Sequence, residues 1–388
     1  MTFEVESSYI ERADEEFEDI DTPNFAEYEP DLEEIKDKAS RKDFDNLVVI
    51  GNGGSITSFR AYLYAFLPEV DKDVRLVTTM DPDYLNRLSR ELDVEDTLVV
   101  PISKSGETVG VIESLMFFME RDYEVVAVTS DNDGALREII RERGLEWVEH
   151  PEVGGRFSGV TETGLVPAAL AGMDVDEIRK GAEEMYDNLR PEEDNAAKDL
   201  ALRLYEAEEE GYGDILTPFY STRLFGFYPL FVQLMHETVC KEGEGMTVYG
   251  DLGPEYQHHT NQRMFGGKED IVPMFFRTET HEHVDIEIPD DLENIGVRGK
   301  KLDDLENNTY SEALKSEYSG VKKALDGEER PNITVTLHEL SFGAAGELVA
   351  FMQYLAVYSA YLRDVDPFTQ PDVEKSKQIG FEERFDNK

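Results

Sequence analysis

The chain has 388 residues, 40% of them hydrophobic, and carries 85 Asp plus Glu against 38 Lys plus Arg, a formal charge of −47. That length suggests two to three domains at about 150 residues each, with enough apolar content for real cores, which excludes a disordered acidic tail. A surface of this sign repels nucleic-acid phosphates and anionic lipid headgroups, so neither is expected as a partner. Its self-repulsion is relieved by salt, and a salt-rich cytosol is expected.

Residues 1–40 hold 15 acids and three bases, the opposite of a secretory leader. The single cysteine, Cys240, can close no internal disulfide. The acid-free stretch 215–236 is interrupted by Arg223, Gln233 and proline and makes a poor membrane span. A soluble, cytoplasmic protein is expected. From Asn46 short β-branched runs at 47–50, 74–78, 97–102 and 125–129 alternate with amphipathic stretches at 56–66, 84–92, 108–119 and 135–143. This alternation predicts an α/β, doubly wound parallel sheet with helical crossovers. A polar helical bridge follows over 174–211. A second α/β set then begins, with strands at 214–216, 271–276 and 333–337 and apolar helices at 221–240 and 342–362. The segment 289–331 reads as an exposed excursion. The expected layout is an acidic region at 1–40, a first α/β domain at 41–190, a second at 191–365, and a tail at 366–388.

In so acidic a chain, windows that exclude acids are informative. Four stand out, at 47–59, 153–161, 215–236 and 256–268, with a shorter fifth at 101–106. Burial of strands and helices explains the apolar ones. It does not explain windows built of Gly, Ser, Asn, Gln, His and Arg, which are polar donors suited to an anionic ligand. Gly51-Asn-Gly-Gly-Ser55 lies between a predicted strand and helix, where open α/β sheets bind ligands. It fits neither a dinucleotide fingerprint, since the third glycine would fall at Ile56, nor a P-loop. A plain tight turn explains this motif equally well. A second strand-to-helix turn carries Ser103-Lys-Ser-Gly-Glu-Thr108. The hydroxyls of Ser103, Ser105 and Thr108, the Lys104 ammonium and the amides of the next helix can converge on one phosphate, although a serine there can also simply cap the helix.

These two loops together resemble the sugar isomerase (SIS) domain. Gly154-Gly-Arg-Phe-Ser158, Gln233-Leu-Met-His-Glu-Thr-Val-Cys-Lys241, Gln257-His-His-Thr-Asn-Gln262 and Phe368-Thr-Gln-Pro-Asp-Val-Glu-Lys-Ser-Lys377 then follow, in order, the motifs of the phosphoglucose isomerase family. The chain departs from that family at Thr238-Val-Cys240 and at Gly106-Glu107. The resemblance implies two SIS-type (flavodoxin-like) domains with a C-terminal tail. It also implies interconversion of glucose 6-phosphate and fructose 6-phosphate through a cis-enediolate, without metal or cofactor. Glu237 is implied as the base that moves the proton between C1 and C2, and Arg156 as the cation facing the enediolate. His258 is implied as the ring-opening acid/base, arriving from the other subunit of a homodimer, and Lys377 as its helper at the ring oxygen. Ser103, Lys104, Ser105 and Thr108 would bind the phosphate, Gly54 and Ser55 would line the sugar, and Gln233 and Gln370 would bind its hydroxyls or hold the pocket. His259 competes with His258, but the motif register favours the latter. His281 and His283, two apart, suggest a metal, but no third ligand accompanies them, and a surface strand is the better reading. The alternatives are an isomerase of another sugar phosphate, including a bifunctional phosphoglucose/phosphomannose isomerase, and a non-catalytic sugar-phosphate sensor.

Overall fold

The computed structural model describes residues 2–17 and 20–386. The chain opens with β1 (Phe3–Ser8). It then lays down β2 (Asn46–Ile50), β3 (Asp73–Val77), β4 (Thr97–Pro101), β5 (Glu124–Thr129) and β6 (Glu146–Glu149). The last five form a parallel sheet in the order β3-β2-β4-β5-β6. β2 and β4 are buried along almost their whole length, which is why they read in the sequence as continuous apolar runs.

A second sheet is built from β7 (Asp214–Tyr220), β8 (Thr247–Leu252) and β9 (Ile271–Thr278). After a small hairpin of β10 (Gly296–Val297) and β11 (Lys300–Lys301), β12 (Asn332–Leu337) completes it. The order is β1-β12-β9-β7-β8, with β12, β9, β7 and β8 parallel and β1 antiparallel at the edge. Apart from β1, the second strand laid down flanks the first on one side and the third on the other, as in the first sheet. Between the sheets lies the helix Phe342–Tyr361, buried over nearly all of its 20 residues. It is apolar on every face, as a helix enclosed by protein must be. It packs on the helices Val175–Asn188, Ala196–Glu209 and Tyr228–Val239. Gly346 lets it come close: a Cβ there would fall 1.9 Å from the Ile178 carbonyl oxygen. No helix of the described residues is long and apolar enough to cross a membrane.

Several expectations need correction. The acidic opening segment is not a separate region at its start, since β1 belongs to the second sheet. The predicted helix at 221–240 is shorter: Leu224–Phe227 form a 3₁₀ turn, and the α-helix runs Tyr228–Val239 with Pro229 in its first turn, where a missing N–H costs nothing. The stretch 289–331 is only half an excursion, because it contains the helix Tyr310–Gly327, which buries Tyr318, Val321 and Leu325. His281 and His283 follow β9 in irregular backbone rather than in a strand.

Candidate active site

β2 leads to β3 on one side of the first sheet, and β4 leads to β5 on the other, so the loops after β2 and β4 part and leave a crevice at the sheet's C-terminal edge. In the loop after β2, Asn52 Nδ2 donates to the Thr78 carbonyl at 2.9 Å. Gly54 rests directly on the backbone of Gly155, and a Cβ on it would lie 2.1 Å from the Gly155 carbonyl carbon. Two of the acid-free windows are therefore in contact.

In the loop after β4, Ser103 Oγ and Thr108 Oγ1 are 2.9 Å apart, with Ser103 fully buried. Ser105 Oγ accepts from the Glu107 amide at 3.1 Å, and Lys104 Nζ reaches the exposed Glu152 at 3.2 Å. Glu107 turns away and accepts from the Ala135 amide, 2.7 Å away, at the start of the helix Ala135–Arg143 that follows β5. Thr108 is the N-cap of the helix Val109–Met119 but makes no side-chain cap bond. The first amides of that helix remain open to an anion beside three hydroxyls and an ammonium.

The polar centre forms where the first sheet meets the helix Tyr228–Val239. Arg156 is buried, its side chain 4% exposed, and its guanidinium donates four hydrogen bonds. Nε donates to Thr238 Oγ1 at 2.8 Å, Nη1 to Gln370 Oε1 at 2.7 Å, and Nη2 to the carbonyls of Pro367 and Thr369. Nη1 also faces Glu237 Oε2 at 3.5 Å. Burial pulls the guanidinium's pKa below its ordinary value, against the opposing charges of Glu237 and Asp366. Glu237 is half-buried, and Gln233 Nε2, one helical turn earlier, donates to its Oε1 at 3.1 Å. Gln233 Oε1 in turn accepts from Thr57 Oγ1 at 3.0 Å, and its amide nitrogen would lie 3.0 Å from a Cβ on Gly53. The carboxylate is thus oriented from the glycine loop on one side and by a cation on the other.

Three contributors to this centre were not singled out in the sequence. Thr57 orients Gln233. Thr238 falls where the motif departs from its pattern, yet its hydroxyl anchors Arg156. Lys241 is buried, and its ammonium donates to the carbonyls of Thr238 at 2.9 Å and of Asp366, tying the glutamate's helix to the tail. Burial, and Arg156 nearby, lower its pKa. The signals available were small: Thr57 lies in an acid-free window, and Lys241 is the first base after Glu237.

Gln370, expected to bind a sugar hydroxyl or to hold the pocket, accepts from Arg156. Lys377 lies one turn into the helix Glu374–Asp386, exposed, and bonds Glu374 at 2.8 Å. The far end of the same helix meets the helix Val109–Met119, through Arg384 and Glu113 at 2.8 Å. His258 stands apart. His236, the neighbour of Glu237, accepts from the Val248 amide at the start of β8 at 2.8 Å, whereas His258 follows the end of that strand. Six residues of strand span about 20 Å. Among the described residues no hydrogen bond joins the exposed His258 to Glu237, Arg156 or Gln233. His259 is also exposed, bonded to Thr260 at 2.7 Å and facing Asp251 at 3.6 Å. No group of three His, Cys, Asp or Glu among the described residues is placed to hold a metal.

Paired switch-point loops with open amides, an oriented carboxylate and a buried guanidinium, on sheets of this order, define a phosphosugar isomerase of the SIS fold. The chain belongs to the phosphoglucose isomerase family: residues 34–384 match the family model described as phosphoglucose isomerase. It is 30% identical to a probable glucose-6-phosphate isomerase of Haloarcula marismortui, covering 89% of this chain and 80% of the relative. It is 27% identical to the glucose-6-phosphate isomerase of Methanocaldococcus jannaschii, over 91% and 86%. Among solved structures, a hypothetical protein of Thermus thermophilus superposes with a TM-score of 0.85 at 28% identity, over 93% of this chain and 89% of the other. A Chlamydia trachomatis glucose-6-phosphate isomerase shares the fold, with a TM-score of 0.76 at 22% identity, over 97% and 81%.

Proposed function

We propose that this chain interconverts glucose 6-phosphate and fructose 6-phosphate in the cytoplasm, as a homodimer with shared sites. The observation that carries the residue assignment is the oriented Glu237, held by Gln233 on one oxygen and facing Arg156 on the other. The phosphate would take the hydroxyls of Ser103, Ser105 and Thr108, the Lys104 ammonium and the open amides after Thr108, with Gly54 and Ser55 beneath the sugar. Glu237 removes the proton from C2 of the open aldose and returns it to C1, a positioned general base of the kind that contributes about 10²–10⁴ in rate. The enediolate charge that develops in between falls to Arg156. Arg156 already donates four hydrogen bonds without substrate, so a sugar oxygen that approaches it competes with an acceptor in place. Gln370, on the tail, is the neutral side chain best placed to yield.

Ring opening needs a second acid/base group. His258 is too far along β8 to serve Glu237 of its own chain, which supports a site completed by His258 of the partner subunit, with Lys377 assisting at the ring oxygen. A coupled assay of fructose 6-phosphate conversion in molar KCl tests the reading. Glu237→Gln is expected to lower kcat by about 10³-fold with little change in KM; full turnover in that variant would remove Glu237 as the base.

A further inference from the structure

The second sheet has a switch point of its own. β7 leads to β8 on one side and β9 leads on to β12 on the other, opening at their C-terminal ends the same kind of crevice that holds the loops of the first sheet. A cavity of about 210 Å³ lies there, between the ends of β7 and β9 and the first turns of the helix Tyr310–Gly327. No residue of the mechanism above lines it.

Its walls carry Arg277, Lys315 and the hydroxyls of Thr278 and Ser311. Arg277 is the second-last residue of an interior strand, its guanidinium 5.2 Å from the Tyr318 ring centre and its Nη1 3.3 Å from Thr336 Oγ1. Neither Arg277 nor Lys315 forms an ion pair among the described residues, although the chain has 85 carboxylates. The two carboxylates that do line the cavity are already engaged. Glu279 holds His338 Nδ1 at 2.8 Å, and Glu312 accepts the amide and hydroxyl of Thr309 at 2.8 and 3.0 Å, capping its own helix. The Thr278 hydroxyl is 3.2 Å from His281 Nε2 and that of Ser311 3.0 Å from Thr309 Oγ1, so the groups left without a carboxylate partner are the two cations, the complement of a small oxyanion.

We propose that this cavity binds a small oxyanion, inorganic phosphate or the phosphate group of a metabolite, between Arg277 and Lys315, separately from the substrate crevice. The site is coupled to the proposed chemistry through Tyr220, which lines it and whose hydroxyl accepts from Gln257 Nε2 at 2.7 Å. Gln257 precedes His258, so an occupant pressing on Tyr220 bears on the segment that presents this histidine.

Equilibrium dialysis with inorganic phosphate, at fixed KCl, tests the proposal. Two classes of site per chain are expected. Arg277→Gln with Lys315→Gln should weaken one class by roughly tenfold or more, as expected for losing charged hydrogen-bond donors. Turnover and KM without added phosphate should stay unchanged. Lys104→Met should weaken the other class only. A single class abolished by Lys104→Met would overturn the proposal, as would two classes indifferent to Arg277 and Lys315. If the double variant fails to fold, Lys315→Gln alone, on an exposed turn, gives the same comparison. Glycerol 3-phosphate distinguishes the source: competition for the Arg277 class assigns the site to phosphate esters, and binding of phosphate alone assigns it to the free ion.

Discussion

Gly54 and Gly155 face each other across the contact between two acid-free loops, yet they have opposite tolerance for a side chain. A methyl group on Gly54 would sit 2.1 Å from the carbonyl carbon of Gly155 and 2.4 Å from the Arg156 amide nitrogen, all unyielding backbone. Ordinary contact begins at 3.4 Å, so Gly54→Ala must drive the loops apart by about 1.3 Å. A methyl group on Gly155 meets only the Gly54 Cα, at 3.9 Å, and needs no movement. Arg156 rides on the displaced loop, and a misplacement near 1 Å costs about 10²-fold in rate. Gly54→Ala is therefore expected to lower kcat about a hundredfold, with overpacking lowering stability by about 1–3 kcal/mol. Gly155→Ala should stay within a few-fold of the parent. Both variants go through the coupled assay and a thermal melt in high KCl. Equal damage from the two, or an unchanged kcat in Gly54→Ala, would refute the packing argument.

Other outcomes follow from the same structure. Mixing Glu237→Gln with His258→Ala subunits should restore roughly a quarter of parental turnover, since half the randomly exchanged dimers are hybrids with one intact site; no recovery after verified exchange would count against a shared site. His150 is buried, bonded to the Pro151 carbonyl at 2.8 Å, and burial pulls its pKa from 6.5 down to about 4. Because the unfolded chain binds that proton more readily, the stability His150 contributes is complete above pH ~6.5 and is lost as the pH falls toward 4, by about 3 kcal/mol. Urea unfolding of His150→Gln beside the parent, from pH 7 to 4, should show that difference, and parallel curves would dismiss it. Lowering KCl from molar to tens of millimolar should lower the melting temperature, as a charge of −47 loses its screening; a salt-independent midpoint would contradict a halophilic adaptation.

In the first sheet β2, β4 and β5 were legible because they are buried and read as unbroken apolar runs, whereas the short edge strand β6, Glu-Trp-Val-Glu, was not expected. β1 was not, because Phe-Glu-Val-Glu-Ser-Ser is an edge strand with alternate residues in solvent, and its acids merged with the acidic segment around it. β8 escaped for a similar reason: Thr-Val-Tyr-Gly-Asp-Leu lies at the opposite edge, with Gly250 packed where Thr217 leaves no room for a side chain. In the site, Arg156 and Glu237 were reached through the family motifs in which they stand, Gly154–Ser158 and Gln233–Lys241. Their partners could not be. Arg156 is held largely by the carbonyls of Pro367 and Thr369, and a backbone acceptor leaves no mark in the sequence. The separation of His258 from Glu237 was expected only through the resemblance, since it depends on which end of β8 each residue adjoins.

The antiparallel pairing of Phe3 with Leu337 joins an early strand to one made more than 300 residues later. The first sheet, whose strands lie within residues 46–149, can assemble while the rest of the chain is still emerging. The second sheet cannot close until β12 exists, and until then the opening strand must wait without its partner. Folding of this chain is thus ordered in time by connectivity, with the slow, long-range closure falling on the half that presents His258.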